Sequence, residues 1–152
     1  MTYDPEPTPT PKTIVLRGNG GRHDEHIANG VIKPGELLGF TTDDPPKVDQ
    51  AQVAGAKQSP IFAKEAVLNQ GGDIDTDYAD GDVVFHYTAR PGDIIFAWLL
   101  DGEVGTPGLS LVSNGDGALK LGTAEGTEHA IAELMDTLSP VGANGRVRVR
   151  IN

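Results

Sequence analysis

The stretch Asp73–Leu100 reads DIDTDYADGDVVFHYTARPGDIIFAWLL, and its middle decides the class of fold. From Val83 onward, Val83, Phe85 and Tyr87 alternate with Val84, His86 and Thr88, the period of two that marks a strand with two distinct faces. Arg90-Pro91-Gly92-Asp93 follows. Proline presets φ at the first central place of a type II turn, and glycine accepts the positive φ needed at the second. The apolar run IIFAWLL then leaves the turn as a second strand. An acidic turn, an alternating strand, a tight turn and an apolar strand follow one another with no helical interval.

The same device occurs twice more. Lys33–Phe40 reads KPGELLGF, and Thr106–Ser113 reads TPGLSLVS. In KPGE and RPGD a base and an acid occupy the outer turn places, where an exposed ion pair contributes at most about 1 kcal/mol. TPGL lacks both charges and still launches an apolar run, so the shared element is a turn that starts a strand. Working outward, TIVLR from Thr13 is a first strand ending in the turn Gly18–Gly21. A polar loop follows, and TTDDPPKVDQAQ is read as another loop. ALKLG is a short strand after the turn NGDG, and RVRVRI places Val147, Val149 and Ile151 opposite Arg146, Arg148 and Arg150. Closely spaced turn signals predict an all-β sandwich or barrel. Two segments resist: HAIAELMDTL has helical spacing, with Thr127 as N-cap and Pro140 beyond its end, and PIFAKEAVL is helix-friendly on a shorter scale.

The sequence has 152 residues, enough for one domain with a true core. It contains no cysteine, which rules out disulfides, thiolate zinc sites and a cysteine nucleophile. Its 22 acidic and 12 basic side chains give a formal charge of −10, which repels phosphate backbones and anionic lipid. Nucleic acid and membrane are therefore not expected partners. The N-terminal residues lack the basic and apolar regions of an export signal, and no run approaches the roughly 20 apolar residues of a transmembrane helix; a soluble chain is expected. Residues 1–12 form a proline-rich extended arm, with Pro5, Pro7, Pro9 and Pro11 at alternate places. Each proline excludes helix and central strand. At about 3.1 Å per residue, the arm's first eleven residues would reach roughly 34 Å. Residues 13–152 form a single β domain.

Signals for chemistry are few. Gly18–Gly21, GNGG, is not followed by the Lys-Ser/Thr of a phosphate loop, no serine sits in GxSxG, and no histidine lies in HExxH. His23 and His26 in HDEH read as a solvated pair on a polar loop. Asp73, Asp75 and Asp77 match the first, third and fifth places of a calcium loop, but Tyr78 and Val84 stand where glycine and glutamate are needed. No catalytic residue, metal or cofactor is expected, and Trp98 is assigned to the core. The basic face Arg146, Arg148 and Arg150 reads either as a solvated edge strand or as a docking face for an acidic surface.

Taken in order, KTIVLRGNGG, VIKPGELLGF, PIFAKEAVLN, DIDTDYADGDVVFHYTARPGD, LVSNGDGALK and VRVRI resemble the head decoration, or capsid cementing, proteins of tailed bacteriophages. The resemblance spans roughly residues 12 to 152, and its most specific part is the acidic segment with GDVVFHYTARPGD, followed by SNGDGALK. It implies a compact β domain, sandwich- or barrel-like and of β-tulip type, bound to the outer capsid surface as a homotrimer on the major capsid protein. On this ground PIFAKEAVL and HAIAELMDTL are assigned to β against their composition. The expected function is structural, not enzymatic: cementing the lattice against internal pressure. The partner contacts are expected from Tyr3, Pro5, Pro7, Pro9 and Pro11 of the arm and from Arg146, Arg148 and Arg150. The alternative is a carbohydrate- or calcium-binding β module, virion-borne or secreted, with Trp98 or the aspartates as its site.

Overall fold

A computed structural model describes residues 10–18, 20–66, 72–122 and 128–152. The described chain is all-β, with eleven strands and no helix among the described residues. β7 (Ile94–Leu99), β11 (Gly145–Ile151), β10 (Ala132–Leu134), β8 (Ser110–Ser113) and β9 (Leu119–Leu121) pair in that order, and the sheet closes where β9 meets β7 in parallel at Leu119 and Leu99. The result is a small five-stranded mixed barrel. β1 (Val15–Arg17) pairs along β7 through a register shift. Alternate residues fill the barrel: Ile95, Ala97 and Leu99 from β7, Val147, Val149 and Ile151 from β11, and Ala132 and Leu134 from β10.

A second sheet sets β6 (Val83–Thr88) between β2 (Arg22–Ile27) and β5 (Ile61–Ala63), with the hairpin of β3 (Leu38–Phe40) and β4 (Val48–Gln50) beside it. Its own core contains Ile32, Leu38, Val48, Ile61, Tyr78 and Val84. The LeuLeu of KPGELLGF divides between the two cores. Leu37 packs with the barrel cluster and Leu38 with the second one, because successive side chains of an extended chain point oppositely.

All three Pro-Gly turns have the expected geometry. Gly35, Gly92 and Gly108 have φ of 95°, 92° and 93°, and the fourth residue's N–H donates to the first residue's carbonyl at 3.1, 3.0 and 3.4 Å. The exposed ion pair does not form; the acids turn inward instead. Glu36 is 6% exposed and Asp93 9%. Asp93 Oδ2 accepts from the Arg90 N–H at 2.9 Å and from the Tyr87 hydroxyl at 2.6 Å. Tyr87 Oη in turn accepts from the Gly21 N–H at 3.0 Å. A Cβ at Gly21 would sit 2.4 Å from the Tyr87 ring, so GNGG is glycine-rich where backbone meets this node.

Three further expectations are corrected. RHDEHI is the strand β2 and not a loop: it is held by antiparallel pairing with β6 despite its polarity. Within the loop expected after Phe40, Val48 returns against Phe40 and buries itself, which makes β4. The arginine-bearing strand is not an edge, since β7 and β10 flank β11. Neither helix-like segment is helical where described: Ala132 and Leu134 of β10 bury at a spacing of two, and Ile61–Ala63 is β5, tertiary pairing having overridden local propensity. Val67 and Leu68 of PIFAKEAVL, and the expected cap Thr127, lie outside the described residues.

Asp93→Ala removes the acceptor of one buried hydroxyl and one turn N–H, and is expected to destabilise by about 2–4 kcal/mol. Leu109→Ala, at the same place of the uncharged turn, is expected to stay within about 0.5 kcal/mol, because Leu109 is exposed. Urea unfolding of both variants checks the contrast; equal losses would show that the acid adds nothing to the turn.

Candidate functional site

The predicted partner residues fall into separate environments. Tyr3, Pro5, Pro7 and Pro9 lie outside the described residues. Pro11 is described and lines an open groove of about 510 Å³ with Thr10, Phe96, Asp136, Arg146 and Arg148. The structure thus brings the root of the arm beside two of the three arginines, which sequence alone could not show. Arg150 does not line that groove.

Each arginine has an acidic partner. The Arg148 guanidinium donates from Nε to both carboxylate oxygens of Asp136, at 3.0 and 2.9 Å, and from Nη2 at 2.5 Å. These bonds hold the Asp136 carboxyl below its usual range. Arg150 pairs with Glu133, which stands directly opposite it on β10. Both guanidinium side chains remain about half exposed, at 53% and 51%, so they can meet a further partner. Arg146 is different. Its side chain is 9% exposed, donates from Nη1 to Asp75 at 2.9 Å and from Nε to the Pro34 carbonyl at 3.2 Å, and bonds the Ile74 carbonyl as well. It also lies over the Trp98 ring at 4.3 Å from the centroid. Such a cation above an indole face contributes roughly 0.5–2 kcal/mol.

Trp98 is half-buried and not fully in the core: its Nε1–H donates to the Pro34 carbonyl at 2.8 Å. Beside it a cleft of about 420 Å³ is lined by Lys33, Glu36, Gln50, Asp116 and Asn144. Glu36 accepts from the Lys33 N–H and from Gln50 Nε2, both at 2.6 Å. Burial raises its carboxyl to about 7, only partly opposed by these two bonds. The aspartates of the acidic turn go to separate partners. Asp73 Oδ1 accepts from the Asp75 N–H at 2.9 Å, Asp75 pairs with Arg146, Asp80 accepts from the Gly30 N–H, and Asp82 accepts from the Ala79 N–H. Among the described residues no three potential metal ligands converge.

Sequence reasoning missed the inward turn of Glu36 and Asp93 and the contact between His26 and His86. For His86 a signal existed, since alternation puts it on the face of the buried Val84.

A small closed mixed barrel with a three-stranded sheet and a hairpin beside it defines an all-β domain built on turn-initiated strands. That architecture is similar to the N base of the head fibre gp8.5 of bacteriophage phi29, with a TM-score of 0.59 and 13% identity over 87% of this chain and 94% of that one. At that identity the likeness establishes the fold. No family model and no curated protein matches the chain.

The raised Glu36 carboxyl has a testable sign. The folded state holds its proton more tightly than the unfolded state, whose carboxyl titrates near 4.5, so stability is lost as pH rises from there through about 7. Over that window the loss from Glu36 is at most about 3 kcal/mol. Glu36→Gln is expected to gain on the wild type progressively across the same window, as read by urea midpoints every half pH unit. A constant difference between the two proteins would refute the buried charge.

Proposed function

We propose that the protein is a structural component of a phage virion that binds the outer capsid surface and cements its lattice, as a homotrimer on the major capsid protein. The observation that carries this reading is the fold likeness to a domain of a phage head fibre, which covers nearly the whole of both chains. Fold alone does not fix function, and the surface adds a second line of support. Pro11 and Arg148 share one groove, and Arg148 and Arg150 present half-exposed guanidinium groups on a molecule of net charge −10. A proline-rich arm loses little freedom when it is ordered on a partner. Arg148 and Arg150, each beside an acidic partner, keep guanidinium hydrogens free for a further acceptor. Arg146 is committed within the molecule, so the docking role falls to Arg148 and Arg150.

Cementing needs affinity for the assembled lattice only. Arm and strand acting together, repeated in each subunit of a trimer, raise the effective grip without any single strong contact.

Removal of residues 1–11 is expected to weaken binding to expanded capsids at least tenfold, roughly 1.4 kcal/mol or more, while leaving the melting temperature of the free protein within a few degrees. Sedimentation of capsids with full-length and truncated protein measures this. Equal occupancy would remove the arm from the mechanism, and failure of the full-length protein to bind assembled capsids at all would remove the cementing role.

A further inference from the structure

His26 on β2 and His86 on β6 meet diagonally across the second sheet. His26 Nδ1 lies 2.8 Å from His86 Nε2, and the rings stack with centroids 5.0 Å apart. At that distance one nitrogen donates and the other accepts, so one hydrogen occupies the contact. His86 is 2% exposed and its Nδ1 has no partner. The tautomer that leaves this buried atom bare carries the hydrogen on His86 Nε2, donated to His26. Phe40 at the end of β3, itself half exposed, lies against the pair, edge-on to His26 at 4.9 Å and 6.1 Å from His86. A cleft of about 360 Å³ gives solvent a way in between the hairpin and the sheet.

Added protons act on this contact in order. One added proton, whichever ring carries it, leaves a single hydrogen in the contact and puts a hydrogen on His86 Nδ1, where nothing receives it. With a second proton both facing nitrogens carry hydrogen, and the hydrogen bond is lost. The charged groups facing the pair are few. From β2 they are Arg22 and Asp24, with Glu25 in the adjoining cleft beside His26. β6 contributes Thr88, β5 contributes Ile61, and the hairpin contributes Phe40 and Pro46, none of them charged. Asp24 favours a proton on the pair, but its carboxylate is already engaged by Arg22 at 3.3 Å and by the Glu25 N–H at 2.9 Å.

We propose that the His26–His86 contact is an acid-sensitive latch: with one shared hydrogen it holds the Phe40 end of the β3–β4 hairpin against the sheet, and full protonation releases that end. Burial, followed by the charge of His26, lowers the folded His86 imidazole to about 4 from 6.5. The sign follows from linkage. An imidazole held neutral by the fold contributes stability that is complete above its unfolded value and is lost as pH falls toward the folded one.

The test is amide hydrogen exchange from pH 7 to pH 3.5, corrected for intrinsic rates, with imidazole NMR titration of the same protein. Protection across the hairpin, including the Thr41 N–H that donates to the Lys47 carbonyl, is expected to fall at least tenfold on the acid side, with β11 unchanged. His86 is expected to take its proton at the same midpoint. His26→Gln offers its amide oxygen as an acceptor for His86 Nε2–H but does not titrate, and is expected to flatten the hairpin response. A His86 that protonates near 6.5 while the hairpin stays protected overturns the proposal, and so does a His26→Gln protein whose hairpin opens with the wild-type pH profile. Should His26→Gln fail to fold, the wild-type titration decides alone.

Discussion

Arg146 joins the two halves of the molecule, and most of the architecture depends on that junction. It leaves β11 on the outside of the barrel and reaches the Pro34 carbonyl in one Pro-Gly turn and Asp75 and the Ile74 carbonyl in the acidic turn, while lying over Trp98. Five guanidinium hydrogens in a fixed fork suit one side chain to several acceptors at once. A lysine offers a single point charge on a flexible stem and could not satisfy two backbone carbonyls and a carboxylate in this geometry. The charge is tolerated in a nearly buried position because it is paired and hydrogen-bonded. Leu37, Phe62 and Tyr87 then continue the barrel core into the second sheet.

The acids of the charged Pro-Gly turns work on the same principle over a shorter distance. A turn brings two strands close without fixing how they seat on their neighbours. Asp93 adds that information by receiving the Tyr87 hydroxyl, and Glu36 does so through Gln50 of the hairpin. The uncharged turn at Thr106–Leu109 lacks such a fastening, and Leu109 stays exposed. His86 and Glu36 also oppose one another in pH dependence. One loses stability toward acid and the other toward base, so in the range where both titrate their effects largely cancel.

Much of the fold was legible because its turns are written in residues with few alternatives. Pro-Gly located β3, β7 and β8, and NGDG preceded β9, since only glycine takes those φ values at little cost. What escaped notice depends on partners distant in sequence. β2 carries no apolar alternation of its own and is a strand because β6 pairs with it. HAIAELMDTL has the spacing of a helix, and only the places left open beside β8 and β11 make Ala132–Leu134 extended. Their local propensity alone points to helix. Burial of Glu36 and Asp93 was invisible for a similar reason: a turn acid is ordinarily solvated, and only Tyr87 and Gln50 show where these two point. Of the arginines, spacing showed the shared face of β11, but the commitment of Arg146 required knowing what lies across from it.

The central place of β11 has a consequence for how the molecule is made. β7 begins at Ile94, yet its pairing neighbour on the barrel side is β11, starting at Gly145. Until β11 has been synthesised, β7 and β10 lack the strand that joins them, and the barrel stands open along two unpaired edges. Contacts of such long sequence separation form late, after the loop between them has been closed at an entropic cost. Vectorial synthesis therefore leaves the apolar interior of β7 and β8 unfinished until β11 has been made. The barrel closes only when β11 pairs with both β7 and β10, and fragments cut off before β11 would expose sticky edges instead of a partial domain.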